Sequence, residues 1–273
     1  MPSENSLAPT KRSAVASVLG EERRARLGAH LFTLAFLGAW WGYSLTVPPF
    51  VLPGPVPVAI RLAQFFTTYN LYKQAFASLE HIVAGMAVSL IVGSALALAA
   101  HYLPVLRLAV HGRLSPFLNS FSGIGWTLLS IVWFGVNEFT VVFAISVVLT
   151  PFAIINIREG LETLDRELLE MAMSFTRNRW REFGKIVLPG LMPFVFATLR
   201  ISFGVSWKVA LAAELFGGRT GLGYLFNLAQ QNFDVRLILV VIFVIIAFVY
   251  GTDRLLFAPL QARFGRLEAS ASP

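Results

Sequence analysis

The sequence predicts an all-helical, polytopic membrane protein of about six transmembrane helices, with a charged helical loop between the fourth and the fifth. Three observations predict it. Of 273 residues, 56% are hydrophobic and only 14% charged, with a mean hydropathy of +0.68, whereas soluble domains run to roughly half and about a quarter. The apolar residues fall in long runs, and about 20 in succession suffice to cross the bilayer hydrocarbon. A single long stretch, Arg158 to Pro193, breaks those runs with charge.

The same composition excludes several functions. The net charge is +7, but the basic residues sit at the ends of apolar runs and form no aromatic-interleaved patch, so they speak for membrane orientation and not for nucleic acid. With no cysteine, disulfide and thiol chemistry is absent, and the four histidines, His30, His81, His101 and His111, lack ligand spacing. Each is read as an interfacial or packing residue. No Gly-x-x-x-x-Gly-Lys-Ser/Thr loop exists for a nucleotide.

Residues 1–28 are polar, carry Lys11, Arg12, Arg23, Arg24 and Arg26, and read as a retained cytoplasmic tail. The transmembrane part is assigned to 29–258. Segment one, about 29–47, is uncharged after its start and spaces Gly38 and Gly42 for close helix approach. The Pro-rich stretch from Pro48 to Ile60 then prevents an unbroken helix, and Arg61 to Lys73 permits a short amphipathic one on the outside. Segment two, about 78–100, repeats Gly85, Ser89, Gly93 and Ala97 every fourth residue, a stripe suited to packing. His101 to Ser115 is expected as an inside loop. Segment three, about 116–136, ends in Trp133-Phe134-Gly135, with Ser122-Gly123-Ile124-Gly125 as a point of unwinding. After a tight turn at Asn137-Glu138, segment four, about 139–157, carries Pro151 as an expected kink.

In the charged insert, Leu161, Leu164, Leu168, Met171, Ala172 and Phe175 recur three or four residues apart. Glu159, Glu162, Asp165, Arg166 and Glu167 lie off that stripe, so this half reads as an amphipathic helix. A second, short basic helix from Arg179 to Val187 follows a turn, and Pro189 suits the first turn of the next span. The alternative from periodicity alone is an ordinary interfacial helix.

Segment five, about 188–213, holds Arg200, Trp207 and Lys208 and runs into Glu214, the only carboxylate deep in an apolar context. Intramembrane charge is costly and faces protein or a pathway. At 100° per residue, positions 200, 207 and 214 fall within about 40° of one another. These four residues are the candidate pathway; the alternative is that Arg200 is tied to backbone carbonyls or a carboxylate in the bundle and that Lys208 snorkels outward. Segment six, about 235–253, precedes a short tail at 259–273.

The insert resembles the Glu-Ala-Ala loop of bacterial ABC-importer permeases. Glu170-Met171-Ala172 fills the triplet, Thr176 stands where the family has Gly, and after nine residues come Ile186, Val187, Leu188 and Pro189. Leu52-Pro53-Gly54-Pro55, Trp133-Phe134-Gly135, Ala212-Ala213-Glu214 and Gly221-Leu222-Gly223-Tyr224-Leu225 are similar to motifs of the nitrate, sulfonate, bicarbonate and taurine group. Met171 and Thr176 depart from the pattern, and His81 stands where the group begins its second helix with Ser-Leu-x-Arg.

That resemblance implies a permease forming half of a pore for a small anion, with a pyrimidine-type precursor as the alternative solute. It implies partners as well: two ATPase subunits that bind ATP and Mg, a second permease copy, and a periplasmic or lipid-anchored binding protein. Coupling is assigned to the loop at 158–187, through Glu170, Met171, Ala172, Phe175 and Thr176. A secondary transporter would show internal repeats and more intramembrane carboxylates. A membrane-embedded enzyme would need polar groups converging at one depth. Neither signature is present.

Orientation follows from the basic residues. Five lie in the N-tail, two (Arg107, Arg113) before segment three, six in the insert and three after segment six, against Arg61, Lys73, Arg219 and Arg236 on the other side. The positive-inside rule therefore puts both termini and the insert in the cytoplasm of a bacterial inner-membrane protein.

Overall fold

The computed structural model describes residues 11–164 and 183–257, with side chains at 27–164 and 183–255. Among the described residues the regular structure is entirely helical. Residues 1–60 and 61–273 form two compact units. In the first, α1 (Lys11–Ser44) runs into a turn, and the Pro53 carbonyl accepts a hydrogen bond from Trp40 Nε1 at 3.1 Å. That bond folds the Pro-rich stretch back on the helix end. The predicted first span lies in α1, yet α1 is not among the helices long and apolar enough to cross a membrane. Trp40, Trp41, Gly42 and Tyr43 dilute its hydropathy toward the end.

α2 (Pro55–Thr67) passes from the first unit into the second, where α3 (Tyr69–Tyr102), α6 (Glu138–Thr163), α7 (Phe183–Gly217) and α9 (Val235–Leu255) each have the length and composition of a span. The seam between α3 and α6 is made by the stripe of small residues. A β-carbon on Gly85 would lie 2.5 Å from Ile145 Cγ2, and one on Gly93 2.5 Å from Ala153 Cβ. Ser146 Oγ also donates to the Gly85 carbonyl at 3.3 Å. Small side chains thus let two backbones approach, which in hydrocarbon is the main source of helix affinity. α6 continues through Pro151 as a single helix and reaches six residues past the predicted end of segment four.

Segment three differs from the expectation. It is divided between α4 (Pro104–Ser120) and α5 (Gly123–Phe134), bent by 90°. Phe121 and Ser122 adopt extended backbone, and the Ser122 hydroxyl caps the new helix by accepting from Gly125 N at 3.1 Å. With 12 residues, α5 reaches about 18 Å and cannot cross about 30 Å of hydrocarbon by itself. The stretch expected as an inside loop, His101 to Ser115, is helical too: the end of α3 leads into α4, which widens to a π-helical stretch at Leu108–Leu114.

α6 and α7 meet where the insert leaves and returns. Gly160 admits Leu191 and Phe194, each 2.8 Å from where its β-carbon would be, and Leu161, Val187 and Leu191 form one buried cluster with Ala97 and Ile157. Pro189 occupies the first turn of the Leu188–Gly217 helix, as expected. α8 (Leu222–Gln231) folds along the far end of α7, where Asn227 Nδ2 donates to the Leu215 carbonyl at 2.9 Å.

Candidate functional site

The insert end of the bundle carries the coupling candidates. Glu170, Met171, Ala172, Phe175 and Thr176 lie outside the described residues, and so do Leu168 and the expected turn. What is described is their base. Leu161 is 5% exposed and Val187 2%, so both ends of the insert are anchored in one apolar cluster. Arg158 Nε donates to Glu162 Oε1 at 2.8 Å, and Arg107 Nη2 approaches the same oxygen at 3.9 Å. These side chains, with His101, His111 and Leu164, line a cleft of about 630 Å³ beside the base.

The pathway candidates separate into different surroundings. Arg200 is bidentate to Asp253, with Nε to Oδ1 at 3.0 Å and Nη2 to Oδ2 at 3.4 Å. Trp207 is 3% exposed, its ring centroid 5.7 Å from that of Phe248 and 6.0 Å from that of Phe203. Asp253 and Phe248 both belong to α9. The heptad stripe read at 200 and 207 is therefore real, but it faces α9 because the two helices pack there. Arg200 is thus tied to a carboxylate in the bundle, the alternative read from the sequence, while Glu214 meets other partners. Lys208, about 100° further round, is exposed and has no ion pair among the described residues. One turn earlier, a β-carbon on Gly204 would meet nothing within 4 Å, so this side of α7 is open.

Glu214 is turned the other way, into a polar cluster at the end of the bundle distal to the insert. It is 1% exposed, and a carboxylate so placed needs donors. Oε2 accepts from Ser78 Oγ at 2.7 Å and from Gly223 N at 2.8 Å, and Oε1 lies 2.9 Å from His81 Nδ1. Ser78 Oγ accepts in turn from Leu222 N at 2.7 Å, and Gln74 Oε1 from Gly221 N at 2.8 Å. On its other side, His81 Nε2 stands 2.7 Å from Glu138 Oε2, an ion-pair approach without the alignment of a hydrogen bond. The cluster joins α3, α6, α7 and the turn into α8.

His81 is thus no mere packing residue, and Gln74, Ser78 and Glu138 join it although the sequence reading gave none of them a site role. A signal was available: positions 74, 78 and 81 are spaced four and three apart, a polar helical stripe at the start of an otherwise apolar helix.

The sequence profile described as "Binding-protein-dependent transport system inner membrane component" matches residues 44–258. A probable ABC transporter permease of Brucella melitensis is 30% identical over 239 residues, covering 86% of this chain and 95% of its own. The taurine transport system permease of Escherichia coli is 27% identical, over 79% and 82%, and the bicarbonate transport system permease of Synechococcus elongatus 28%, over 64% and 63%. Among solved structures, an inward-facing methionine ABC transporter, MetNI, has a TM-score of 0.55 at 15% identity, covering 72% of this chain and 94% of the other. That likeness concerns the fold.

Proposed function

The chain belongs to the binding-protein-dependent transport inner membrane component family, a permease of an ABC importer, and from that premise we infer how it couples and what it carries. The insert is cytoplasmic and docks on a separate ATPase through Glu170, Met171, Ala172, Phe175 and Thr176. Two ATPase subunits, holding ATP and Mg, drive a pair of permease copies, and a periplasmic or lipid-anchored protein delivers the solute. The observation that carries this reading is the ungapped register from Glu170 to Pro189, set between two helix ends that share the Leu161, Val187 and Leu191 cluster. An insert fixed at both ends of its base transmits a push to α6 and α7 together.

The solute is a small anion, as the names of the taurine and bicarbonate relatives suggest. The pathway follows the open face of α7 at Gly204 and Lys208. A lysine within a span costs several kcal/mol when it meets lipid alone, so an exposed one fits a face turned to water or to a second copy. Arg200 supports that face from behind through Asp253.

The cysteine-free sequence allows a direct test of orientation. Ser174→Cys is expected to react with a membrane-impermeant thiol reagent only in inverted vesicles, and Thr68→Cys only from the outer face. Labelling of Ser174→Cys in intact spheroplasts would overturn the proposed topology.

A further inference from the structure

At the distal cluster one imidazole stands between two carboxylates. His81 is 6% exposed, and a carboxylate oxygen faces each ring nitrogen: Glu214 Oε1 at 2.9 Å from Nδ1 and Glu138 Oε2 at 2.7 Å from Nε2. A neutral imidazole offers one N–H and one lone pair, and an ionised carboxylate only accepts. A ring protonated on Nδ1 alone donates to Glu214 and leaves its Nε2 lone pair 2.7 Å from Glu138 Oε2, an approach that is repulsive unless a second proton stands on the ring or on that carboxyl group. The charged groups acting on the ring are Glu214 from α7 and Glu138 from α6. The α8 side turns the backbone N–H groups of Leu222 and Gly223 toward the cluster, and α3 itself adds the Ser78 hydroxyl.

Position gives that proton a use. α6 has 26 residues and so about 39 Å of length, with Glu138 at its start and the insert after its end. Glu138 is 44% exposed on its side chain, while Glu214 is 1% exposed. The extra proton thus exchanges at the distal surface, and the link it makes reaches the buried end of α7. The insert and this cluster therefore lie at opposite ends of α7.

We propose that His81 is a proton-dependent positioning residue for import: with both ring nitrogens facing bound protons it ties α3, α6 and α7 together at the distal end, and withdrawing the extra proton from that side slows the cycle. The proposal rests on the permease reading above, in which the distal end is periplasmic. Its sign follows from linkage, because a state that binds an additional proton loses population as pH rises.

The test uses the complete importer in proteoliposomes, with ATP in a lumen of fixed pH and the binding protein outside. The readout is binding-protein-stimulated ATP hydrolysis while only the outside pH changes, from about 6 to about 9. The wild type is expected to slow by about fivefold or more across that range. His81→Arg keeps donors for both carboxylates at every such pH and is expected to vary by less than about twofold. Glu138→Gln leaves a neutral ring able to donate to Glu214 and accept from the amide, so it flattens the profile as well, and it decides the matter should His81→Arg fail to assemble. Parallel profiles in wild type and the assembled variants would overturn the proposal alone. Absence of stimulated hydrolysis in the wild type at every pH would overturn the permease reading, and this proposal with it.

Discussion

Gly221 lies against the carboxylate of Glu214 so closely that a β-carbon there would collide with Cδ and both oxygens, and its φ of 106° is one that side-chain-bearing residues rarely adopt. Two independent constraints thus require glycine at this turn. Gly223 adds a third contact, since its β-carbon would meet the Leu211 carbonyl and lie 2.6 Å from Glu214 Cβ. The Gly-Leu-Gly spacing lets the chain come close enough for Gly223 N to reach the buried carboxylate.

Gly221→Ala is therefore expected to cost about 2 kcal/mol or more, from strained backbone and displaced carboxylate together. Gly251→Ala, where nothing lies within 4 Å, serves as the control and should be neutral. Thermal unfolding of purified protein in detergent checks both. Equal midpoints for the two variants would mean that the turn relaxes freely.

The α3–α6 seam makes a second expectation. Gly93→Leu must push Ala153 and the Thr150 carbonyl, 2.5 and 3.0 Å from the missing β-carbon, and a helix pair cannot part there without losing Gly85 against Ile145 also. We expect loss of the folded protein from detergent extracts, measured as the monodisperse fraction on size exclusion. Gly38→Leu should leave that fraction unchanged, because its β-carbon position is open.

These two cases show what could be read in advance. The four-residue repeat from Gly85 to Ala97 has a physical meaning independent of its partner, and it packs against α6 as a seam should. The 90° bend between α4 and α5 was only half legible, since Ser122 and two glycines signal a break but hydropathy across it stays continuous. The stripe of Arg200 and Trp207 is legible in its spacing, but the helix it faces is not. Periodicity defines a face, whereas the identity of the helix opposite depends on contacts between residues 40 or more apart. The Glu214 cluster draws on residues 133 and 136 positions away, and only the small polar stripe at 74, 78 and 81 hinted at it.

The pairing of Arg200 with Asp253 leads to a third prediction. If Arg200 positions α7 against α9, then Arg200→Gln and Asp253→Asn should lower stability alike, and the exchange Arg200→Asp with Asp253→Arg should restore most of it. Lys208→Gln should leave stability unchanged and, on the proposed pathway, slow uptake of an anionic solute, since a charge on an open face attracts without holding the bundle. Uptake and thermal midpoint measured on the same reconstituted samples separate the two roles. Full anion uptake by Lys208→Gln would remove the open face of α7 from the pathway.

The last prediction concerns the insert and its proposed ATPase. An apolar stripe on a water-exposed helix, as proposed for the insert, gains nothing from its spacing unless something covers it, and truncating an aromatic anchor at an interface costs about 2 kcal/mol or more. Phe175→Ala should therefore weaken copurification of the ATPase by roughly 30-fold in affinity, taking 1.4 kcal/mol as about tenfold. Ala172→Glu should do at least as much, because it buries a charge in the same contact. Both variants should insert normally, as the Leu161, Val187 and Leu191 cluster beneath the loop is untouched. Arg158→Gln offers the contrast: it breaks the exposed pair with Glu162, worth at most about 1 kcal/mol, and should leave ATPase binding nearly as it was. Membrane yield, copurified ATPase and ATP-driven uptake, measured for the three variants side by side, give the answer. Unchanged ATPase binding in Ala172→Glu would show that the helix lies on the membrane surface instead.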